Sequence, residues 1–294
     1  MRIQILLLSF FLLSLSDLYA QEEATDFKKL TRVPKSIPEI SGIYIQGDTI
    51  WSHNDSGGEP VLYAFDVKGN LLDSVYIENT QNQDWEELTH DDQGNVYICD
   101  FGNNNNQREN LRIFKYHPDQ GWKGTLFFKF EDQKSFPPAS DRRRFDAEGA
   151  FWYEDSIYIF SKNRSGFFTY MYVIPDIAGV HTAVLKDSID LTDRIVTAAA
   201  LSPDKSKMAL LAYTLDRKHG FPQFQSSLFV FSNFTPGNFC DGEMLRIKLP
   251  HRQFEAVDFR TNDLIYLGAE KTPIHKPILG KVDLTQLTYS APKE

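Results

Sequence analysis

The stretch "DAEGAFWYEDSIYIFSKN", Asp146 to Asn163, decides how this chain folds. Its first apolar run, the Glu-Asp-Ser turn and the second apolar run read as a β-hairpin. One residue sits oddly in that reading. The carboxylate Glu148 stands where a buried strand should begin, and the same oddity recurs along the chain.

Four further phrases align with it: "ISGIYIQGDTIWSHND" from Ile40, "WEELTHDDQGNVYICDFG" from Trp85, "VTAAALSPDKSKMALLAY" from Val196 and "FEAVDFRTNDLIYLGAE" from Phe254. Anchored on Ser41, Glu86, Glu148, Thr197 and Glu255, they recur at intervals of 45, 62, 49 and 58 residues. Two more strand-like runs follow each of the first four hairpins, "LRIFKY" and "TLFFKF" after the second for example, and one run, "PILGKVDL", follows the fifth. Four strands per repeat of this length is the pattern of a β-propeller. The expected fold is all-β: a five-bladed propeller of four-stranded antiparallel blades, its ring closed by the N-terminal run "FKKLTRVP" as the missing outer strand. A six-bladed ring is the alternative, but it needs a blade that the sequence does not show. An open sandwich would leave the five aligned hairpins unexplained.

With 294 residues, 41% of them hydrophobic and 14% aromatic, the chain can build one large β-rich core. A net charge of −9 argues against a nucleic-acid polymer as partner, because such binders carry a basic face. The opening "MRIQILLLSFFLLSLSDLYA", residues 1–20, reads as a signal peptide too short for a comfortable membrane span. The expectation is a secreted or periplasmic protein with no membrane span after cleavage, residues 21–294 forming a single propeller domain. Cys99 and Cys240 are expected to be separate thiols, although an oxidising compartment would permit one disulfide.

In a propeller the first strand of each blade lines the central channel. Ser41, Glu86, Glu148, Thr197 and Glu255 then share one ring at a mouth of that channel. Carboxylates ~6 Å apart at an effective dielectric near 20 repel by roughly 3 kcal/mol per pair. Such a ring must protonate, fill with water or hold a cation. No His or Cys repeats in register, so the donors are oxygens. They select a hard ion, and calcium fits better than magnesium.

The order Ser, Glu, Glu, Thr, Glu at the starts of five blades resembles the calcium-activated nucleotidases, or apyrases. "DAEGA" and "FEAV" also look like phrases of esterase-like and phytase-like exported propellers. The resemblance implies a calcium ion held by Ser41, Glu86, Glu148, Thr197 and Glu255, with Asn54–Asp55 as a substrate-facing acidic corner. The chain departs from the nucleotidases at Ser56, where they carry Arg, and at the Asn run after "DFG". Lys162 and Arg164 keep part of the positive charge.

Loops after the second strands are longer and chemically denser than the turns within the hairpins, and they lie at the same mouth as the ring. That face is the expected binding side. Its ligand-binding candidates are Asn54, Asp55, Asp100, Asn103, Lys162, Arg164 and Lys271. "RRR", Arg142 to Arg144, is either a guard at the mouth, an anion site or a plain surface run. No hydrolase motif is present, so catalytic roles rest on Asp55 and His53 alone. Three functions stay open: a propeller binding a small polar molecule, glycan or peptide beside calcium; a calcium-dependent hydrolase of phosphate or carboxylic esters; and an envelope interaction scaffold.

Overall fold

A computed structural model describes residues 23–289 except 165, 167, 193, 219 and 220; the expected signal peptide lies outside the described residues. Two short strands come first, β1 (Glu23–Thr25) and β2 (Phe27–Arg32). The first antiparallel meander is β3 (Ile40–Gln46), β4 (Thr49–Asn54), β5 (Val61–Phe65) and β6 (Leu71–Tyr76). The second is β7 (Trp85–His90), β8 (Val96–Asp100), β9 (Leu111–His117) and β10 (Gly121–Phe130). The third is β11 (Ala147–Tyr153), β12 (Ser156–Ser161), β13 (Phe168–Pro175) and β14 (Gly179–Asp190). The fourth is β15 (Ile195–Leu201), β16 (Lys207–Lys218), β17 (Phe221–Ser232) and β18 (Glu243–Lys248).

The fifth has three strands of its own, β19 (Phe254–Phe259), β20 (Leu264–Ala269) and β21 (Ile278–Asp283). Its fourth strand is β2, paired antiparallel to β21 from Phe27–Val282 to Arg32–Ile278. Two pairings lie outside the sequence-based expectation. Strand β10 runs parallel to β14 and joins the second and third meanders into one eight-stranded sheet. Strand β1 lies parallel to β18 and antiparallel to β22 (Thr288–Tyr289), widening the fourth.

The architecture is all-β and propeller-like. Strands β3, β7, β11, β15 and β19 are neighbours in that order, and β19 lies beside β3 again. The apolar core is divided among five clusters, each between consecutive meanders. Trp85, Leu88 and Ile98 meet Tyr44 and Leu62 between the first and second, for instance, and Ile40 and Phe65 meet Ala256 and Leu279 between the fifth and first. Burying each sheet against two neighbours leaves no separate hydrophobic centre, so the axis is free for polar groups. Cys99 is buried, Cys240 half-buried, and both are free thiols, as expected.

Polar staples join the inner strands. The Ser41 hydroxyl donates to the Glu86 carbonyl and the Thr197 hydroxyl to the Phe254 carbonyl, each at 2.8 Å. Lower down, the Ile45 N–H donates to the Asp258 carboxylate at 2.8 Å. One residue beyond the anchors stand Gly42, Glu87, Gly149, Ala198 and Ala256, four small residues and one long one. The Glu87 carboxylate, fully buried, accepts from the backbone N–H of Leu88 and, across the channel, of Ala199, both at 2.9 Å. It fills the space that the small residues leave.

Gly42 carries the tightest approach. Its φ is +62° and a Cβ there would lie 2.5 Å from the Leu88 nitrogen. Gly47 has φ +58° with nothing within 4 Å. Both substitutions to Ala strain the backbone, and only Gly42→Ala also forces β3 from β7. Urea titration should show Gly47→Ala costing about 1 kcal/mol and Gly42→Ala more than about 3 kcal/mol. Equal costs would mean that the inner strands are not in close contact there.

Candidate functional site

The oddity of a carboxylate at the start of a buried strand has a geometric cause. Pairing between first and second strands slips by one residue at the same end of each hairpin. The slip falls between Trp85 and Glu87, Ala147 and Gly149, Val196 and Ala198, and Phe254 and Ala256. Glu86, Glu148, Thr197 and Glu255 are therefore the extra residues of β-bulges, which turn a side chain out of the ladder's alternation. In the first hairpin the slip falls at Gly42, one residue past Ser41.

The three glutamates are buried and electrostatically linked. Burial pushes each carboxyl up, Glu86 and Glu148 well above the ordinary range, and Glu148 adds to the effect on Glu86. Lys162 sits among them. It is 5% exposed, and its Nζ lies 2.8 Å from Glu148 Oε1. Burial alone would lower the ammonium's pKa, but Glu148, Tyr213, Glu255 and Asp146 together hold it well above the usual lysine value. Lys162 was expected on the ligand face. It is instead the ring's internal cation, drawn inward because a buried carboxylate is far costlier alone than paired.

Lys162 belongs to a second tier. The residues paired with the position before each anchor are Asn54, Asp100, Ser161, Ala212 and Ala269. The next residues along the chain are Asp55, Phe101, Lys162, Tyr213 and Glu270. Glu270 is 7% exposed, and burial, then Glu255 and Asp55, push its carboxyl well up. Asp84 and Asp146, two residues before their anchors, complete the cluster. Asp84, Asp146, Tyr213 and Glu270 were not among the sequence candidates, though the aligned phrases place Tyr213 and Glu270 beside Asp55 and Lys162.

On the flank of this cluster, Asp55, Asp84 and Glu86 bring one carboxylate oxygen each to within 4.8 Å of one another. Asp84 is pushed up to about 6 by burial and by Asp55, against the opposing pull of Arg108. Asp55 is also raised, chiefly by burial. Glu86 is 5% exposed, and no hydrogen bond or ion pair engages its carboxylate among the described residues. Gly102 backs the site, since a Cβ there would lie 2.2 Å from Glu86 Oε1 and 2.4 Å from Asp84 Oδ2.

The remaining candidates mostly serve the scaffold. Asp100 is fully buried between Arg108 at 2.9 Å and Arg112 at 2.7 Å, and Arg108 also donates to the Gly102 carbonyl at 2.8 Å. Asp100 thus positions the Gly102 loop and does not face a ligand. Asn103 receives the Arg108 N–H, donates to the Phe145 carbonyl and gives its own N–H to Asp146. Asn54 clamps Ser36 and Glu39 through both ends of its amide. His53 is fully buried, edge-on to Trp85, and burial lowers its pKa to about 4, so it is a neutral core residue and no general base at the mouth. Ser41 and Thr197 spend their hydroxyl protons on the inner-strand staples. Arg164 is half exposed, 3.6 Å from Asp146. Lys271 is exposed over the loop after β20, and it forms no part of the carboxylate network. Asp55 is half-buried beside Asp84 and Glu86.

No protein-family model matches the chain, and no curated protein matches it. Among solved structures it is similar to the PQQ-bound form of aldose sugar dehydrogenase from Streptomyces coelicolor. That likeness has a TM-score of 0.51 at 10% identity, covering 89% of this chain and 99% of the other. A protein from Lactobacillus plantarum gives 0.44 at 12% identity over 86% and 84%, and hydrazine synthase from Kuenenia stuttgartiensis 0.42 at 11% over 81% and 75%. The first supports the propeller-like fold and nothing about activity.

Two outcomes follow from the site's electrostatics. Lys162→Met leaves Glu148 buried without a partner and should cost about 3 kcal/mol or more near neutral pH, while the Glu148→Gln, Lys162→Met double variant should recover most of the loss in denaturant titrations. An additive double variant would mean that the pair is not coupled. Asp84 titrates higher folded than unfolded, so its ionisation opposes folding: the penalty is absent below pH 4, grows toward pH 6 and is full above it. In EDTA, the melting temperature of Asp84→Asn should rise relative to the parent between pH 4 and 6, then run parallel. A difference independent of pH would contradict that assignment.

Proposed function

We propose that the chain is an exported five-bladed β-propeller, closed by β2 on the fifth meander, that holds a calcium ion between Asp55, Asp84 and Glu86 and binds a small polar ligand through it. The cyclic order of β3, β7, β11, β15 and β19 supports the ring. The apolar residues 3–15 behind Arg2 support export to the periplasm or medium. The observation that carries the metal is the Glu86 carboxylate, buried yet engaged by no hydrogen bond or ion pair among the described residues, with oxygens of Asp55 and Asp84 within 4.8 Å.

Three carboxylates and no nitrogen or sulfur donor fit a hard cation that takes six to eight oxygens. The remaining positions would fall to water and to oxygens of the ligand. The ion's place differs from the one expected on the axis, where Lys162 supplies the positive charge. Asp55 and Asp84 are half-buried, so the site opens toward the long loops.

A calcium-dependent hydrolase is the second reading, favoured by Asp84. Asp84 is half-buried beside buried Glu86, and a carboxylate on the open side of an ion's site is placed to accept a proton from a water that the ion polarises. Binding comes first because His53 is locked in the core.

Isothermal titration of EDTA-stripped protein with calcium should show one site, with a matching rise in melting temperature. Glu86→Gln should weaken binding at least tenfold, and Lys162→Arg should leave it within a few-fold. Wild-type protein that neither takes up calcium nor gains stability from it would end the proposal. Calcium-dependent turnover of aryl phosphates or esters, lost in Asp84→Asn, would move the assignment to the hydrolase.

A further inference from the structure

Arg142 and Arg144 border a cleft of about 480 Å³ beside β13, within the usual size of small-molecule sites. Arg144 is held rigidly there. Its guanidinium stacks 4.2 Å from the Tyr170 ring centre, and Nη2 donates to Asp132 at 2.5 Å. Asp132 is fixed in turn by the Tyr172 hydroxyl at 3.2 Å. Nε and Nη1 of Arg144 have no hydrogen-bond partner among the described residues.

Arg142 is exposed on the same cleft, and its side chain likewise has no partner among the described residues. Phe168, 47% exposed, offers an open ring face beside them. The charged lining is Lys134, Arg142 and Arg144 against Asp132 and Asp141, three positive and two negative, with Asp132 already committed to Arg144. A net positive pocket is distinctive on a chain of formal charge −9. A guanidinium with a fixed plane and donors still open suits an oxyanion, and an exposed phenyl face matches a ring.

We propose that this cleft binds a small ring compound bearing a terminal oxyanion, carboxylate or phosphate, gripped by Arg142 and Arg144 with its ring against Phe168. The site is independent of the calcium reading. Arg144 donates to one oxygen from its fixed plane, and Arg142 reaches the second from its exposed position.

The test is isothermal titration of the full mature chain with benzoate, phenyl phosphate and phenol, in EDTA, on wild type and Glu86→Gln. At least one oxyanion should bind ten times more tightly than phenol, with Glu86→Gln indistinguishable from wild type. A preference between benzoate and phenyl phosphate identifies the oxyanion. Arg142→Ala, which removes an exposed side chain, should keep the parent melting temperature and weaken that binding at least fivefold. Arg144→Lys, which keeps the charge but loses the planar guanidinium held by Tyr170 and Asp132, should weaken it too. The proposal fails if none of the three binds, if phenol binds as well as both oxyanions, or if both arginine variants keep full affinity.

Discussion

The ion pair between Lys162 and Glu148 is the constraint on which the mouth of this molecule depends. Four bulges turn Glu86, Glu148, Thr197 and Glu255 toward one end of the channel, and three of those side chains are carboxylates. Without a partner they would repel one another in a medium that screens poorly. One ammonium, itself buried, changes that balance. It faces Glu148 directly at 2.8 Å and acts electrostatically on Glu86, Glu255, Asp146 and Glu270. Such a pair adds little net stability over an apolar equivalent, but it cannot be halved without large cost. It fixes the geometry around it.

That geometry explains why the flank differs from the axis. Lys162 satisfies Glu148 at contact distance, while Glu86 feels it only through space and points toward Asp55 and Asp84. Beneath both, Glu87 fills the channel where the other inner strands bring only glycine or alanine, and it takes two backbone donors with it. The polar mouth therefore has a floor at Glu87, and the proposed ion on its flank would be reached from the loop side.

Much of this was legible in the sequence, because it follows from local period and turn chemistry. The five aligned phrases gave the hairpins, and "FKKLTRVP" lies on the outer edge of the fifth meander as its position implied. The convergence of Glu86, Glu148 and Glu255 followed from their shared place in the repeat. The pairing of β10 with β14 was not legible, since parallel contact between two outer strands leaves no periodic mark. Lys162 was misplaced because a lysine just after a strand usually lies in solvent. The register that aligned the anchors also aligns Asp55, Lys162, Tyr213 and Glu270, so the second tier was written in the same phrases. Asn54, Asp100 and Asn103 misled for another reason. Polar residues in long loops serve ligands or the loops themselves, and only the hydrogen-bond partners decide which.

The two proposed sites carry opposite charge and are separated by single residues of chain. Asp146 belongs to the acidic mouth and Phe145 before it lines the cleft; Lys162 lies in the ring and Asn163 after it lines the cleft. Alternation of neighbouring side chains to opposite sides of an extended segment makes this possible. An oxyanion approaching the mouth meets several carboxylates and one buried ammonium, so it gains nothing there without a metal ion in between. The cleft offers the same anion fixed guanidinium donors with no metal required. A free cation has the reverse preference. The third meander would therefore divide ligands by sign between the two proposed sites.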